Sequence, residues 1–175
     1  MNTNQSYLYK KIAPPESLFA RVAWELQEKM HCRKLCFLMQ DANSTDFITV
    51  YTKTHDRLII TKKEMKALEQ GTEDMIIKYP LQLLRKNKSS KGLFMNKVYW
   101  SIKLKKIFAI LPIYDDDTLI CLVVFLDRNI KRKLSSNYSY ITFLRSEITY
   151  CLKAIMLYNR SIARIVRTRA ETKQH

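Results

Sequence analysis

The sequence predicts an α+β fold: an antiparallel sheet of about six strands, backed by an N-terminal helix and by a long C-terminal helix of coiled-coil type. Three observations carry this expectation. Short apolar or β-branched runs are separated by turns built from Asp, Asn and Ser. Helical i, i+4 stripes open and close the chain. Between them, Val98, Trp100, Ile102 and Leu104 alternate with Tyr99, Ser101, Lys103 and Lys105, the pattern of a half-buried strand with one solvated face.

Taken in order, residues 1–13 read as a flexible lead-in and 14–140 as the domain, followed by a C-terminal helix over 141–175. Pro14-Pro15-Glu16 opens the first helix, where proline is tolerated because its missing N–H has no partner in the first turn. Leu18, Val22 and Leu26, flanked by Phe19, Ala23 and Met30, place one face on a core. Strands are expected over Lys34–Gln40, Asp46–Lys53 and Arg57–Thr61. Thr61 then caps a helix to Gln70, with Glu64 three residues on completing a capping box and Gly71 ending it. A helical stretch over Glu73–Leu84 is interrupted by Pro80, and Asn87–Gly92 reads as a basic loop. After the alternating strand, Ile107–Ile113 and Leu119–Leu126 are apolar on both faces, as central strands are. Asp115-Asp116-Asp117-Thr118 turns between them.

The last helix, from Ser136 or Asn137 to about Thr172, has the sharpest pattern. Ile141, Leu144, Ile148, Cys151, Ile155, Tyr158, Ile162 and Ile165 follow an unbroken alternation of three and four, with isoleucine at every a position. Isoleucine at a favours a parallel two-stranded coiled coil, so these eight residues are the expected homodimer interface. A second stripe, Phe143, Tyr150, Ala154 and Leu157, lies beside the first. One face can therefore pack on the sheet while the other meets a partner helix. Arg160, Arg164 and Arg167 line one side of the far end and are the focused candidate for an acidic partner.

The 175 residues carry 31 basic and 16 acidic side chains, a formal charge of +15. That charge suits nucleic acid, anionic lipid or an acidic protein, or a solvated lysine-rich surface. Mapped along the chain it is mostly diffuse. Only two glycines, Gly71 and Gly92, are present. Phosphate-cradling loops need clustered glycines so that the backbone can approach the phosphate, so Walker and Rossmann sites are excluded. Residues Met1–Ala13 lack an apolar core for a signal peptide, and the longest apolar run, Leu119–Leu126, is far short of the ~20 residues of a membrane helix. A cytoplasmic protein without a membrane span is expected.

No constellation predicts catalysis or a resident metal or cofactor. His31, Cys32 and Cys36 form a three-ligand cluster, one short of a zinc set. Cys121 and Cys151 complete the four cysteines, which read as small hydrophobes. His55 has no nucleophile in view. Asp115, Asp116 and Asp117 are consecutive at a hairpin tip, unlike the spaced oxygens of a calcium loop. Lys97–Lys103 interleaves aromatics with lysines, a pattern that stacks nucleic-acid bases on some sheets. On the alternating strand, however, Trp100 falls inward and only Tyr99 outward.

The closing segment resembles that of a GAF domain. Ile110-Leu111-Pro112-Ile113 is similar to that family's strand ending in a "vPl"-type motif. The hairpin and Leu119–Leu126 are similar to its "iGvLvl" strand, with Cys121 where the family has glycine. A long helix follows, as in the family. The resemblance covers residues 14–160, with PAS-type sensor domains the nearest competing fold. It implies a non-catalytic regulatory or sensor module whose ligand, bound against the sheet, shifts the C-terminal helix and signals to another protein. The motif of cyclic-nucleotide GAF domains is absent, with only Asn96-Lys97 in common, and the ligand stays open. The alternative is a basic nucleic-acid-binding protein on the same scaffold.

Overall fold

The computed structural model describes residues 15–41, 43–53, 57–70, 76–78 and 80–172, without the side chains of 15, 81, 86–96, 131–132, 160 and 162–172. Helix α1 (Pro15–Met30) is followed by strands β1 (Leu35–Gln40), β2 (Phe47–Thr52) and β3 (Ile59–Ile60), then by helix α2 (Lys62–Glu69). Strand β4 (Ile77–Lys78) precedes helix α3 (Pro80–Leu104). Strands β5 (Ala109–Asp115) and β6 (Thr118–Phe125), the short helix α4 (Ile130–Ser136) and the long helix α5 (Tyr138–Thr172) complete the chain.

Among the described residues, six strands form one sheet in the order β3-β2-β1-β6-β5-β4, every neighbouring pair antiparallel. The expected α+β architecture is therefore observed. Both edge strands are two residues long, which leaves little exposed ladder for another chain to extend. Pro112 shows how the sequence fits this order. Proline has no amide proton for a ladder and belongs at a sheet edge. Here β4 pairs only with Ala109 and Ile110, so Pro112 lies past the end of that ladder.

Side chains alternate through the sheet and divide the core in two. Leu35, Phe37, Ala109, Leu111, Cys121, Val123 and Phe125 face α1 and α5. Cys36, Leu38, Ile110, Leu122 and Val124 face α2 and α3. On the first side, Leu18, Phe19, Val22, Leu26 and Met30 of α1 are buried as their spacing predicts, and Phe19 stacks on Phe37 with ring centroids 4.6 Å apart. On the second, Thr61 caps α2 as expected. Its hydroxyl accepts from the Glu64 amide at 3.2 Å, and the Glu64 carboxylate accepts from the Thr61 amide at 2.7 Å. The expected stop at Gly71 lies outside the described residues.

With so few glycines, the sharp backbone positions fall to other residues. His31 (φ 48°), Lys106 (φ 51°) and Asp116 (φ 50°) adopt left-handed conformations. These sit after α1, between α3 and β5, and at the β5–β6 turn, where glycine is the low-strain choice.

The middle of the chain differs from the sequence reading. Val98–Lys105 is not a strand: Val98 through Leu104 form the end of the 25-residue helix α3, and the expected loop over Asn87–Gly92 lies within the same helix. Val98 and Ile102 satisfy both a period of two and an i, i+4 pair, and the structure buries these two. Trp100 and Leu104 complete the alternation but are 52% and 78% exposed, and Tyr99 is half-buried, reversing the expected facing of the two rings. Pro80 begins α3 rather than interrupting a helix, since its locked φ suits a first turn. The strand beside β5 at the sheet edge is β4. Helix α4 was not expected, and it ends on Asn137, after which α5 begins.

Candidate interaction site

Helix α5 has two unlike faces. The inner one carries Ile141, Leu144, Ile148, Leu152 and Ile155, each at most 5% exposed, against α1 and the sheet. Four of the eight expected interface residues, Ile141, Leu144, Ile148 and Ile155, thus bury their side chains in the chain's own core. Folded in this way they cannot also meet a second copy. The isoleucine periodicity marks a helix with a continuous partner, and a sheet covered by α1 supplies one as well as another helix does. Cys151 is half-buried beside this core and Tyr158 is 39% exposed. The side chains of Ile162, Ile165, Arg160, Arg164 and Arg167 lie outside the described residues, although the helix runs through all five positions.

The outer face holds the second stripe. Phe143, Tyr150 and Leu157 recur every seven residues and are 58%, 74% and 55% exposed. Ala154 is half-buried. A spacing of seven keeps side chains within ~20° of one line along a helix. The outer surface of the same helical layer also carries Trp24 on α1, 60% exposed. Aromatic and aliphatic groups of this size rarely gather in the open on one layer of a protein without a partner.

Polar contacts fix α5 against its neighbours. Near its start, the Tyr140 hydroxyl donates to Glu25 at 3.4 Å and the Lys29 ammonium lies 4.3 Å from the Tyr140 ring centre. Burial and the nearby Glu25 carboxylate push the Tyr140 phenol up to about 12, so it stays protonated. Farther along, Lys153 pairs with Asp115 at 2.7 Å, and the Thr149 hydroxyl donates to the Tyr114 carbonyl at 3.3 Å.

Tyr114 joins the two helical layers, a role its sequence context does not signal. The β5–β6 register shifts between Ile113 and Tyr114, and such an irregularity re-aims the side chain that follows it. The Tyr114 hydroxyl donates to Glu69 at the end of α2, while the Arg145 guanidinium of α5 lies 5.6 Å from its ring centre. Burial, then the Glu69 hydrogen bond and charge, raise its pKa well above the usual phenol value. Shallow clefts open on either side of it. One of about 430 Å³ is lined by Arg145, Thr149 and Lys153 of α5. One of about 350 Å³ is lined by Lys62, Lys66 and Glu69 of α2.

The remaining candidates are accounted for. Cys32, Cys36 and Cys121 are buried, and burial with the Asp127 charge pushes the Cys32 thiol up to about 12. No group of three or more His, Cys, Asp or Glu side chains is placed to hold a metal among the described residues. His31 is the exposed residue that follows α1. His55 lies outside the described residues. Asp115 is engaged by Lys153, and Asp116 and Asp117 form the exposed tip. No helix among the described residues is long and apolar enough to cross a membrane.

The fold is shared with a solved domain of a signalling protein. A methyl-accepting chemotaxis protein, residues 122 to 287, superimposes with a TM-score of 0.54 at 15% identity, covering 87% of this chain and 95% of that one. A domain of a two-component sensor histidine kinase protein from Sinorhizobium meliloti 1021 matches with a TM-score of 0.41 at 11% identity, covering 83% and 95%. No family model matches the chain, and no curated protein matches it.

Proposed function

We propose that this chain is a non-catalytic regulatory module of the sensor type, GAF-like in its sheet and closing segment, that forms a homodimer through α5 and passes a ligand or partner signal to another protein. The observation that carries the reading is the division of labour on α5. Its isoleucine face is spent on the core while Phe143, Tyr150 and Leu157 stand exposed at heptad spacing on the other side. The seam is assigned to that outer stripe, while Tyr158, Ile162 and Ile165 continue the inner register past Ile155 as a separate line along the helix. Arg160, Arg164 and Arg167 are left to meet an acidic partner. The fold shared with a chemotaxis-receptor domain supports a sensor role.

Tyr114 supplies a physical route between the layers. A ligand or partner that displaces α2 moves Glu69, and Glu69 holds the Tyr114 hydroxyl. The same residue carries the carbonyl that receives Thr149 and the ring that faces Arg145, both on α5. A shift at α2 is therefore felt by the helix that forms the seam.

The seam is tested by symmetric cross-linking. A Leu157→Cys substitution in a Cys151→Ser background brings two thiols together across a two-fold seam. Mild oxidation is expected to give a disulfide-linked dimer on a non-reducing gel, and Lys63→Cys, on the opposite layer, is expected to give none. Equal cross-linking at both positions, or at neither, contradicts the assignment. Native mass spectrometry of the purified chain reads any co-purifying small molecule at the same time.

A further inference from the structure

We infer that the end of the molecule opposite the β5–β6 hairpin is a docking surface for an anionic membrane. The strand register sorts the charges. At one end of the sheet, Leu35, Phe125, Ala109 and Lys78 are in line across β1, β6, β5 and β4, with Thr52 of β2 opposite Cys36. Basic residues flank every one of these strand ends. Arg33 and Lys34 precede β1, Lys53 follows β2, Lys78 ends β4, Lys106 lies three residues before β5 and Arg128 three residues after β6. Three residues span at most ~11 Å, so Lys106 and Arg128 cannot stray from that end. Apart from the half-buried Lys78, these basic residues are exposed. Of the nearby acids, Asp127 accepts hydrogen bonds from the Arg33 and Asn129 amides, and Glu28 is exposed on α1. The opposite end is mixed, with Asp41, Asp46, Asp115, Asp116 and Asp117 around the hairpin beside Lys62, Lys66, Arg145 and Lys153.

Apolar groups stand close to this end along the chain, with Leu104 two residues before Lys106. Helix α3 carries no acidic residue along its length. Its last turns present Trp100 and Leu104 to solvent, one turn apart, with exposed Lys97 and Lys103 flanking Trp100. Tryptophan and leucine beside lysines match a lipid headgroup boundary, where the apolar side chain enters the acyl edge and the ammonium stays among phosphates. Each basic residue near an anionic leaflet adds attraction that falls off within a Debye length. Nucleic acid offers the same phosphates but fits less well. The Lys103 ammonium lies 4.4 Å from the Trp100 ring centre, over the face a base needs for stacking, and Leu104 has no ring to offer. Helix α5 runs from the basic end toward the hairpin, where Lys153 meets Asp115, so its far end points away from the bilayer.

The test uses the full chain with Trp24→Phe, which leaves Trp100 as the one tryptophan. The protein is mixed with vesicles of phosphatidylcholine alone or with added phosphatidylglycerol, and pelleting is read beside tryptophan emission. Pelleting only with the anionic vesicles is expected, with a blue shift of Trp100. A Leu104→Ser substitution is expected to weaken binding about tenfold, and Lys103→Glu with Lys106→Glu to abolish it. Both sites are exposed, and circular dichroism confirms that the variants fold. Equal pelleting with neutral vesicles overturns the inference, as does anionic binding insensitive to Leu104. A salt-sensitive DNA gel shift without vesicle binding assigns the surface to nucleic acid and likewise overturns it.

Discussion

Glu64 shows how one residue can tie together several levels of the structure. It completes the Thr61 cap and is 4% exposed, yet it bears charge. Burial pushes its carboxyl up. The Lys105 ammonium at 2.6 Å, the Ser101 hydroxyl and the Thr61 amide more than offset that, and the net shift is below the ordinary 4.5. A carboxyl lowered on folding contributes stability above its unfolded pKa and loses it as pH falls through the folded value. Glu64→Gln also leaves Lys105, 19% exposed, without its partner charge. It is expected to cost about 2 kcal/mol at neutral pH. Urea midpoints of the two proteins should converge as the pH drops below 4.5. A gap that stays constant with pH contradicts this account of Glu64. The capping box itself was legible in the sequence because its four residues are contiguous. Lys105 was not legible, since 41 residues separate it from Glu64.

At the scale of elements, α5 makes the sharper statement. Its inner and outer stripes have similar apolar content in the sequence, and their spacing alone does not say which one meets the sheet. Burial decides it. Ile148→Ala removes a fully buried side chain and is expected to cost about 2–5 kcal/mol. Tyr150→Ser, at a site 74% exposed, should change the stability of one folded copy by no more than about 0.5 kcal/mol. Chemical denaturation of dilute protein checks both. Equal losses at the two positions contradict the facing of the helix. The same ambiguity governs α3. Val98, Trp100, Ile102 and Leu104 alternate as a strand does, but the buried pair Val98 and Ile102 is also one helical turn. Gly92 and the polar residues around it read as a loop because glycine in a helix interior costs roughly 1 kcal/mol against alanine, a cost the full helix absorbs. Strand β4 escaped notice because a two-residue strand leaves no periodicity. The central strands β1, β5 and β6 stood out because burial on both faces makes them continuously apolar.

For the whole molecule, the layered arrangement separates three surfaces. The outer face of α1 and α5 is rich in exposed aromatics. The opposite layer holds α2 and α3, and Tyr114 links the layers at the hairpin end. The sequence located the long helix and the class of fold. It did not show that Arg33, Lys34, Lys53, Lys78, Lys106 and Arg128, scattered along the chain, flank the same end of the sheet. That grouping depends on the order β3-β2-β1-β6-β5-β4, which brings together strand ends far apart in sequence. On the proposed reading, a parallel two-fold seam along α5 leaves both basic ends free and places the C-terminal ends of α5 side by side.

Sedimentation equilibrium tests that seam most directly. The chain and a variant carrying Phe143→Ser, Tyr150→Ser and Leu157→Ser are compared over a range of protein concentrations. The account predicts a reversible dimer for the unaltered chain and a folded monomer for the variant, because the three side chains are exposed in one copy and meet only in two. A monomer at every concentration, or a dimer that the triple substitution leaves intact, contradicts it.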